Sequence, residues 1–178
     1  MAISPKRRRE RLLEAARGYL TLEMPDHALR ELRRIDSSEE DLFDLCQLKG
    51  ESLRQKKEHE EALAVFSRAL EERPDDLTVL MGMAWCFKRT DQLPHAISTI
   101  EQAYQASPKQ PIVLYNLSCY FSLAGDKAQA LSWLGRALRM EPSLRELIPD
   151  ESDFDPLRND PDFQFVIGID EQESAGKN

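Results

Sequence analysis

Residues 75–108 read DDLTVLMGMAWCFKRTDQLPHAISTIEQAYQASP, and this stretch decides the fold because its pattern of small and apolar residues recurs along the chain. Ala96 lies early in a second helical segment, and the same small residue returns at the same place and at equal spacing as Ala28, Ala62 and Ala130. A fixed period of this length, 34 positions, is typical of stacked helix-turn-helix units. The sequence therefore predicts an all-α repeat protein.

Prolines recur with the same period. Pro74, Pro108 and Pro142 are spaced as the alanines are. Proline lacks an amide hydrogen and disfavours helix at the residue before it, so each of these prolines is expected to end a unit. We predict a basic disordered arm at 1–8, a repeat array at 9–142 with units at about 9–42, 43–76, 77–110 and 111–142, a C-terminal cap at 143–170 and a disordered tail at 171–178.

The residues at these recurring places resemble the tetratricopeptide repeat (TPR) family. Its pattern of a large residue, a small residue and an aromatic residue is matched in two units, by Leu80, Ala84 and Phe87 and by Leu114, Ser118 and Phe121. The first unit departs from the family pattern, because Ile35 and Glu40 stand where alanine and proline are usual. The resemblance implies an α-solenoid of about four TPR-like units, in which each unit completes the core of its neighbour.

The segment after Pro142 has a different pattern. It resembles a C-terminal element that follows bacterial TPR arrays, through Leu157, Arg158, Asp160, Pro161 and Phe163. We expect a short helix from Ser143 through Leu147, ended by Pro149, and a last helix that begins at Pro161. The apolar face of that last helix is expected to cover the second helix of the fourth unit, with Phe163, Val166 and Ile167 lying on Leu134 and Leu138.

Composition excludes a membrane-embedded protein. The chain has 178 residues, 41% of them hydrophobic, and no stretch approaches the roughly 20 apolar residues of a membrane helix. Charges interrupt the apolar residues near the N-terminus, so we do not interpret it as a secretory signal. The three cysteines cannot all pair and fall within predicted helices, which favours a reducing, cytoplasmic location.

Charge is polarised along the chain. Residues 1–35 carry nine Lys and Arg against five Asp and Glu, whereas residues 141–178 carry three against eleven. The basic run at 6–9 allows a nucleic-acid adaptor as an alternative function. No aromatic residue interleaves this run and the pI is ≈ 5.0, so we favour a solvated terminus and do not expect a nucleic-acid partner.

No motif for catalysis, cofactor binding or metal binding is present in the sequence. It contains no Cys-x-x-Cys, no His-Glu-x-x-His and no glycine-rich phosphate loop. His27, His59 and His95 lie at or near the starts of second helices, and we interpret them as surface residues of the repeats. The acidic run at 150–155 lacks the glycine and the distal glutamate of a calcium loop. We therefore predict no enzyme, no cofactor and no metal.

The resemblance implies a binding site, because the family directs fixed positions of each first helix into a concave groove. The groove positions in this chain are Gln47, Glu51, Met81, Trp85, Lys88, Arg89, Ile112, Tyr115, Asn116 and Cys119. Large apolar and aromatic side chains among them form a predicted floor, a composition enriched in interface hot spots. Alternatively, Trp85 and Tyr115 pack on each other and only fill the groove.

The family also has a clamp of lysine, asparagine and arginine for the C-terminal carboxylate of chaperone peptides. That clamp is not present here, because its lysine and arginine places hold Gln47, Ile112 and Asn116. The predicted function is a scaffold or adaptor that binds a protein partner through a peptide or helix in the groove. Small acidic TPR proteins of similar length also serve as dedicated chaperones for a secreted client, and this alternative stays open, as does the less favoured nucleic-acid adaptor.

Overall fold

The computed structural model describes residues 4–36 and 42–168, and every regular element in these two ranges is helical. The α-helices are α1 Pro5–Thr21, α2 Pro25–Leu32, α3 Phe43–Gln55, α4 His59–Glu72, α5 Leu77–Arg89, α6 Leu93–Ala106, α7 Pro111–Leu123, α8 Lys127–Met140 and α9 Pro161–Ile167. Two 3₁₀ helices, η1 Pro142–Asp150 and η2 Ser152–Leu157, lie between α8 and α9. No helix in the described ranges is long and apolar enough to cross a membrane.

The chain divides into two compact units, residues 1–92 and 93–178. The first unit holds α1 to α5, and helices that follow one another in sequence pack together within it. In the second unit α6 packs on α7 and α7 on α8, while η1, η2 and α9 pack on the last two of these helices. The third predicted repeat, α5 with α6, is therefore divided between the two compact units.

The small residues that revealed the period are buried. Ala28, Ala62 and Ala96 are 0% exposed and Ala130 is 1% exposed, so the recurring alanine is fully buried at each of its places. A methyl group is the largest side chain that lets two helices approach closely at such a place. The period is thus a consequence of close packing at the place that each alanine occupies.

The turns inside the helix pairs repeat with the same period as the alanines. Glu23, Lys57, Asp91 and Gly125 all have positive φ, between 54° and 76°. The residue after each one donates its amide hydrogen to a carbonyl five residues earlier, as Glu58 does to Leu53 at 3.0 Å. This bond satisfies a carbonyl at the end of the first helix and turns the chain into the second helix.

Two predictions for the chain ends need correction. Residues 5–8 are not a disordered arm but the start of α1, because Pro5 suits the first helical position and the Ser4 hydroxyl accepts the amide hydrogen of Arg7 at 3.4 Å. Pro149 does not end a helix but lies inside η1, since short 3₁₀ turns tolerate a missing donor near their end. The predicted tail at 171–178, like residues 1–3, falls outside the described residues.

Candidate functional site

Six of the predicted groove residues lie on two helices that pack together in the first compact unit. We call their surface the α3–α5 face; α3 contributes Gln47 and Glu51, and α5 contributes Met81, Trp85, Lys88 and Arg89. Arg89 is exposed and the other five are half-buried. The predicted positions on these two helices therefore retain access to solvent.

The Trp85 ring on this face is surrounded by side chains from three helices. Its ring packs against the buried core of α3, α4 and α5. The His59 ring meets it edge-on, with centroids 5.0 Å apart and an interplanar angle of 81°. The guanidinium carbons of Arg54 and Arg89 lie 5.0 and 5.7 Å from the Trp85 ring centroid. Trp85 is thus held by neighbours from all three helices while the residue as a whole is only half-buried.

Two members of this cluster, Arg54 and His59, are not among the predicted groove residues. Arg54 lies one repeat before Lys88, so the period marks it as a groove position as well. His59 was interpreted only as a surface residue, and its spacing from His27 and from His95 does not match the period. No repeat-based signal therefore identifies it, and its place beside Trp85 depends on the packing of α4 against α5.

Hydrogen bonds and charges fix the electrostatics of the cluster. The Arg54 guanidinium donates from Nε and Nη2 to the two carboxylate oxygens of Glu51, at 2.8 and 2.5 Å, and this pairing raises the pKa of Arg54. Burial lowers the pKa of His59, and the charges of Arg89, Arg54 and Lys57 lower it further. His59 Nδ1 is buried and has no hydrogen-bond partner among the described residues. Positive charge is therefore concentrated beside an aromatic ring.

In the second compact unit the C-terminal segment covers two of the predicted groove residues and leaves the other two partly exposed. Tyr115 and Cys119 are 2% and 1% exposed, because η2 lies on α7 and the Phe154 ring meets the Tyr115 ring at 5.6 Å. The prediction that these two residues line an open groove is therefore corrected: their own chain covers them. Ile112 and Asn116 on the same helix are half-buried.

The residues that resembled a C-terminal element hold this segment together. Arg158 donates to the carbonyl oxygens of Ile148 and Glu151, at 3.3 and 2.8 Å, which joins η1 to η2. Asp160 caps α9 by accepting the amide hydrogen of Phe163 at 3.3 Å. The Phe163 ring packs on Phe154 with centroids 5.3 Å apart. The residues that resemble the C-terminal element therefore stabilise the fold of this segment.

The predicted packing of the last helix, α9, against α8 is present. The two helices pack together, and Val166 lies close to Gly135 on α8. The Lys127 ammonium on α8 pairs with carboxylates of Asp160 and Asp162, both at 2.7 Å. Side-chain packing and an ion-pair bridge therefore join the C-terminal segment to α8.

One group of potential metal ligands occurs in the described ranges. Ligand atoms of Cys119, Glu151 and Asp153 all lie within 4.8 Å of one another. The Glu151 carboxylate accepts the amide hydrogen of Asp153 at 3.2 Å and so caps η2. Burial raises the pKa of the nearby Tyr115, which keeps its phenol protonated. A structural role in the covering segment accounts for Glu151 without an ion.

Comparison with known families identifies the repeats. Residues 53–113 match the model of the tetratricopeptide repeat family. Residues 53–113 therefore carry tetratricopeptide repeat sequence. Searching the curated proteins finds no match.

Solved structures of TPR proteins share the fold. A crystal structure of MamA superposes with a TM-score of 0.73 at 12% identity, covering 96% of each chain. TTC0263, a thermophilic TPR protein in Thermus thermophilus, gives 0.67 at 16% identity, covering 96% of this chain and 93% of its own. YrrB, described as a TPR protein with an unusual peptide-binding site, gives 0.67 at 20% identity, covering 76% of this chain and 70% of its own. The predicted fold class, an all-α solenoid of TPR units, is confirmed.

Proposed function

We propose that this TPR protein is an interaction scaffold that binds a peptide or helix of a protein partner on the α3–α5 face. The observation that carries the proposal is the setting of Trp85, a half-buried residue whose ring is held by His59, Arg54 and Arg89. Tryptophan and arginine are among the residues most enriched in interface hot spots. A ring that is already immobilised also loses little conformational entropy when a ligand binds.

Two further features support a peptide ligand. YrrB, which has a similar fold, is described as having a peptide-binding site. In the second compact unit, Ile112 and Asn116 keep partial exposure on α7. An asparagine amide can both donate to and accept from an extended main chain. Tyr115 and Cys119 do not belong to the proposed binding surface while the C-terminal segment covers them.

The experiment is capture of partners from the native host with the wild-type chain and with Trp85→Ala, followed by mass spectrometry. We expect Trp85→Ala to lose the partners that the wild type captures, because removal of a hot-spot tryptophan costs about 2 kcal/mol or more of binding. The class of the captured protein also separates a general adaptor from a dedicated chaperone of a secreted client. Retention of every partner by Trp85→Ala would place the binding surface elsewhere.

Trp133→Ala is the matched control. Trp133 is also half-buried and contacts an arginine and a tyrosine, with Arg136 at 4.2 Å and Tyr104 at 4.9 Å from its ring, but it lies on the second helix of its pair. We expect Trp133→Ala to lower the melting temperature and to keep the partners. Melting temperatures of both variants separate lost binding from lost folding.

A further inference from the structure

The two guanidinium groups beside Trp85 differ in their ion pairing and exposure. Arg54 is engaged by both carboxylate oxygens of Glu51. Arg89 is exposed at the last position of α5, where its guanidinium lies over the Trp85 ring. The Arg54 and Glu51 charges cancel, so these three side chains together carry one net positive charge, and that charge belongs to Arg89.

His59, whose ring meets that of Trp85, lies beside the same charges. The charges of Arg89, Arg54 and Lys57 lower the pKa of His59 in addition to the effect of burial. Lys57 is exposed and lies in the turn just before α4. Because Glu51 offsets the charge of Arg54, the uncancelled positive charges at this edge of the α3–α5 face are those of Arg89 on α5 and Lys57 in the turn. A ligand group placed there meets an attractive field only if it is anionic.

We infer that this edge binds one carboxylate of the peptide ligand, an aspartate or glutamate side chain that lies next to an apolar residue. The carboxylate accepts hydrogen bonds from the Arg89 guanidinium, and the apolar neighbour packs against the accessible part of the Trp85 ring. This inference rests on the proposed function and adds the chemistry of the ligand. Arg54 and His59 act as positioning residues, since they hold the ring against which the ligand packs.

The charge balance favours a carboxylate over a phosphate group. A phosphorylated residue carries a charge of about −1.5 to −2 at neutral pH and is best matched by more than one available cation. Of the two guanidinium groups that lie over the Trp85 ring, only that of Arg89 is not paired with Glu51, and the Glu51 carboxylate repels a second negative charge. A monoanionic side chain therefore matches the single unpaired guanidinium over the ring.

The test is selection of a random peptide library, displayed on phage, against the full-length chain and its variants. Wild type is expected to enrich peptides with an acidic residue beside an apolar one. Arg89→Glu reverses the local charge and is expected to lose this preference or to enrich basic residues instead. Arg30→Glu, which makes the same charge change at an exposed position on α2, should leave the preference unchanged. An acidic preference that survives Arg89→Glu would overturn the inference.

Affinities of one enriched peptide, made by synthesis, sharpen the test. Arg89→Gln should weaken its binding about tenfold. Glu51→Gln should strengthen it about threefold, because it removes a negative charge and releases Arg54. A weaker complex with Glu51→Gln would contradict the inference. Tighter binding of the peptide carrying phosphoserine in place of its acidic residue would also overturn it, in favour of a phosphopeptide site.

Trp85→Ala separates failure of this inference from failure of the proposed function. If the wild type selects peptides without acidic preference and Trp85→Ala loses them, the α3–α5 face binds peptides and only the carboxylate site is wrong. If Trp85→Ala selects the same peptides as the wild type, the proposed function fails as well. Circular dichroism of each variant confirms that the helices are intact.

Discussion

Phe66 on α4 is enclosed by glycines of the two neighbouring helices. A Cβ atom at Gly50 would lie 2.5 Å from the Phe66 ring, and one at Gly82 would lie 2.9 Å from it. Phe66 is 1% exposed, so its ring is held inside the core between these two glycines. These two glycines therefore serve close approach rather than flexibility.

Gly50→Ala is expected to destabilise the protein by about 1 to 3 kcal/mol, the usual cost of overpacking a buried site. Gly18→Ala is the matched control, since it lies within α1 and no atom comes within 4 Å of the added methyl. It should stabilise the protein by about 0.5 to 1 kcal/mol through helix propensity. Urea denaturation measures both. A gain of stability in Gly50→Ala would show that the ring is not fixed by these glycines.

Each helix pair contains one turn residue in the left-handed conformation, and only one of the four is glycine. Gly125 has φ 76° with open space around its Cβ position, whereas Glu23 has φ 54°. A side chain in this region is strained whatever the surrounding space. The first three turns therefore carry backbone strain that the fourth avoids.

Gly125→Ala is expected to lower the free energy of unfolding by about 1 to 2 kcal/mol, because the methyl group is strained at this φ. Glu23→Gly should raise it by up to about 1 kcal/mol, since relief of strain exceeds the added entropy of the unfolded chain. Thermal and urea unfolding of the two variants measure these opposite effects. Equal losses in both would indicate that backbone conformation does not limit the stability of the turns.

The C-terminal segment completes the second compact unit. Phe154 is 0% exposed, and its ring contacts both Tyr115 on α7 and Phe163 on α9. Arg158 and the Lys127 bridge hold the segment in place around these rings. The segment is therefore part of the core of this unit and covers the α7 residues that the family directs into its groove.

Phe154→Ala is expected to destabilise the protein by about 3 to 5 kcal/mol, as is usual for a fully buried phenylalanine. Phe165→Ala is the control, because Phe165 is 72% exposed and its removal should cost little stability.

A chain truncated after Pro142 should expose Cys119, which then reacts with a thiol reagent under native conditions. An unreactive Cys119 in the truncated chain would show that the segment does not cover α7.

The repeated helix pairs follow from the amino-acid pattern alone. Alanine, proline and the large residues recur with one period because each unit has the same local geometry. The same geometry requires the same types of residue at the same places of each unit. This periodicity predicted the fold class and placed Met81, Trp85 and Arg89 on first helices. It also contained Arg54, which lies one period before Lys88.

The neighbours of these residues depend on tertiary packing and could not be predicted from the repeat pattern. His59 meets Trp85 from the helix before it, and Phe154 covers Tyr115 from beyond the last repeat, at places that no period marks. Contacts of this kind depend on how separate helices pack, and neither is repeated in the other units that the structure describes. A repeat pattern specifies the contacts that every unit shares, whereas the accessible tryptophan and the covered tyrosine differ because their neighbours outside the pattern differ.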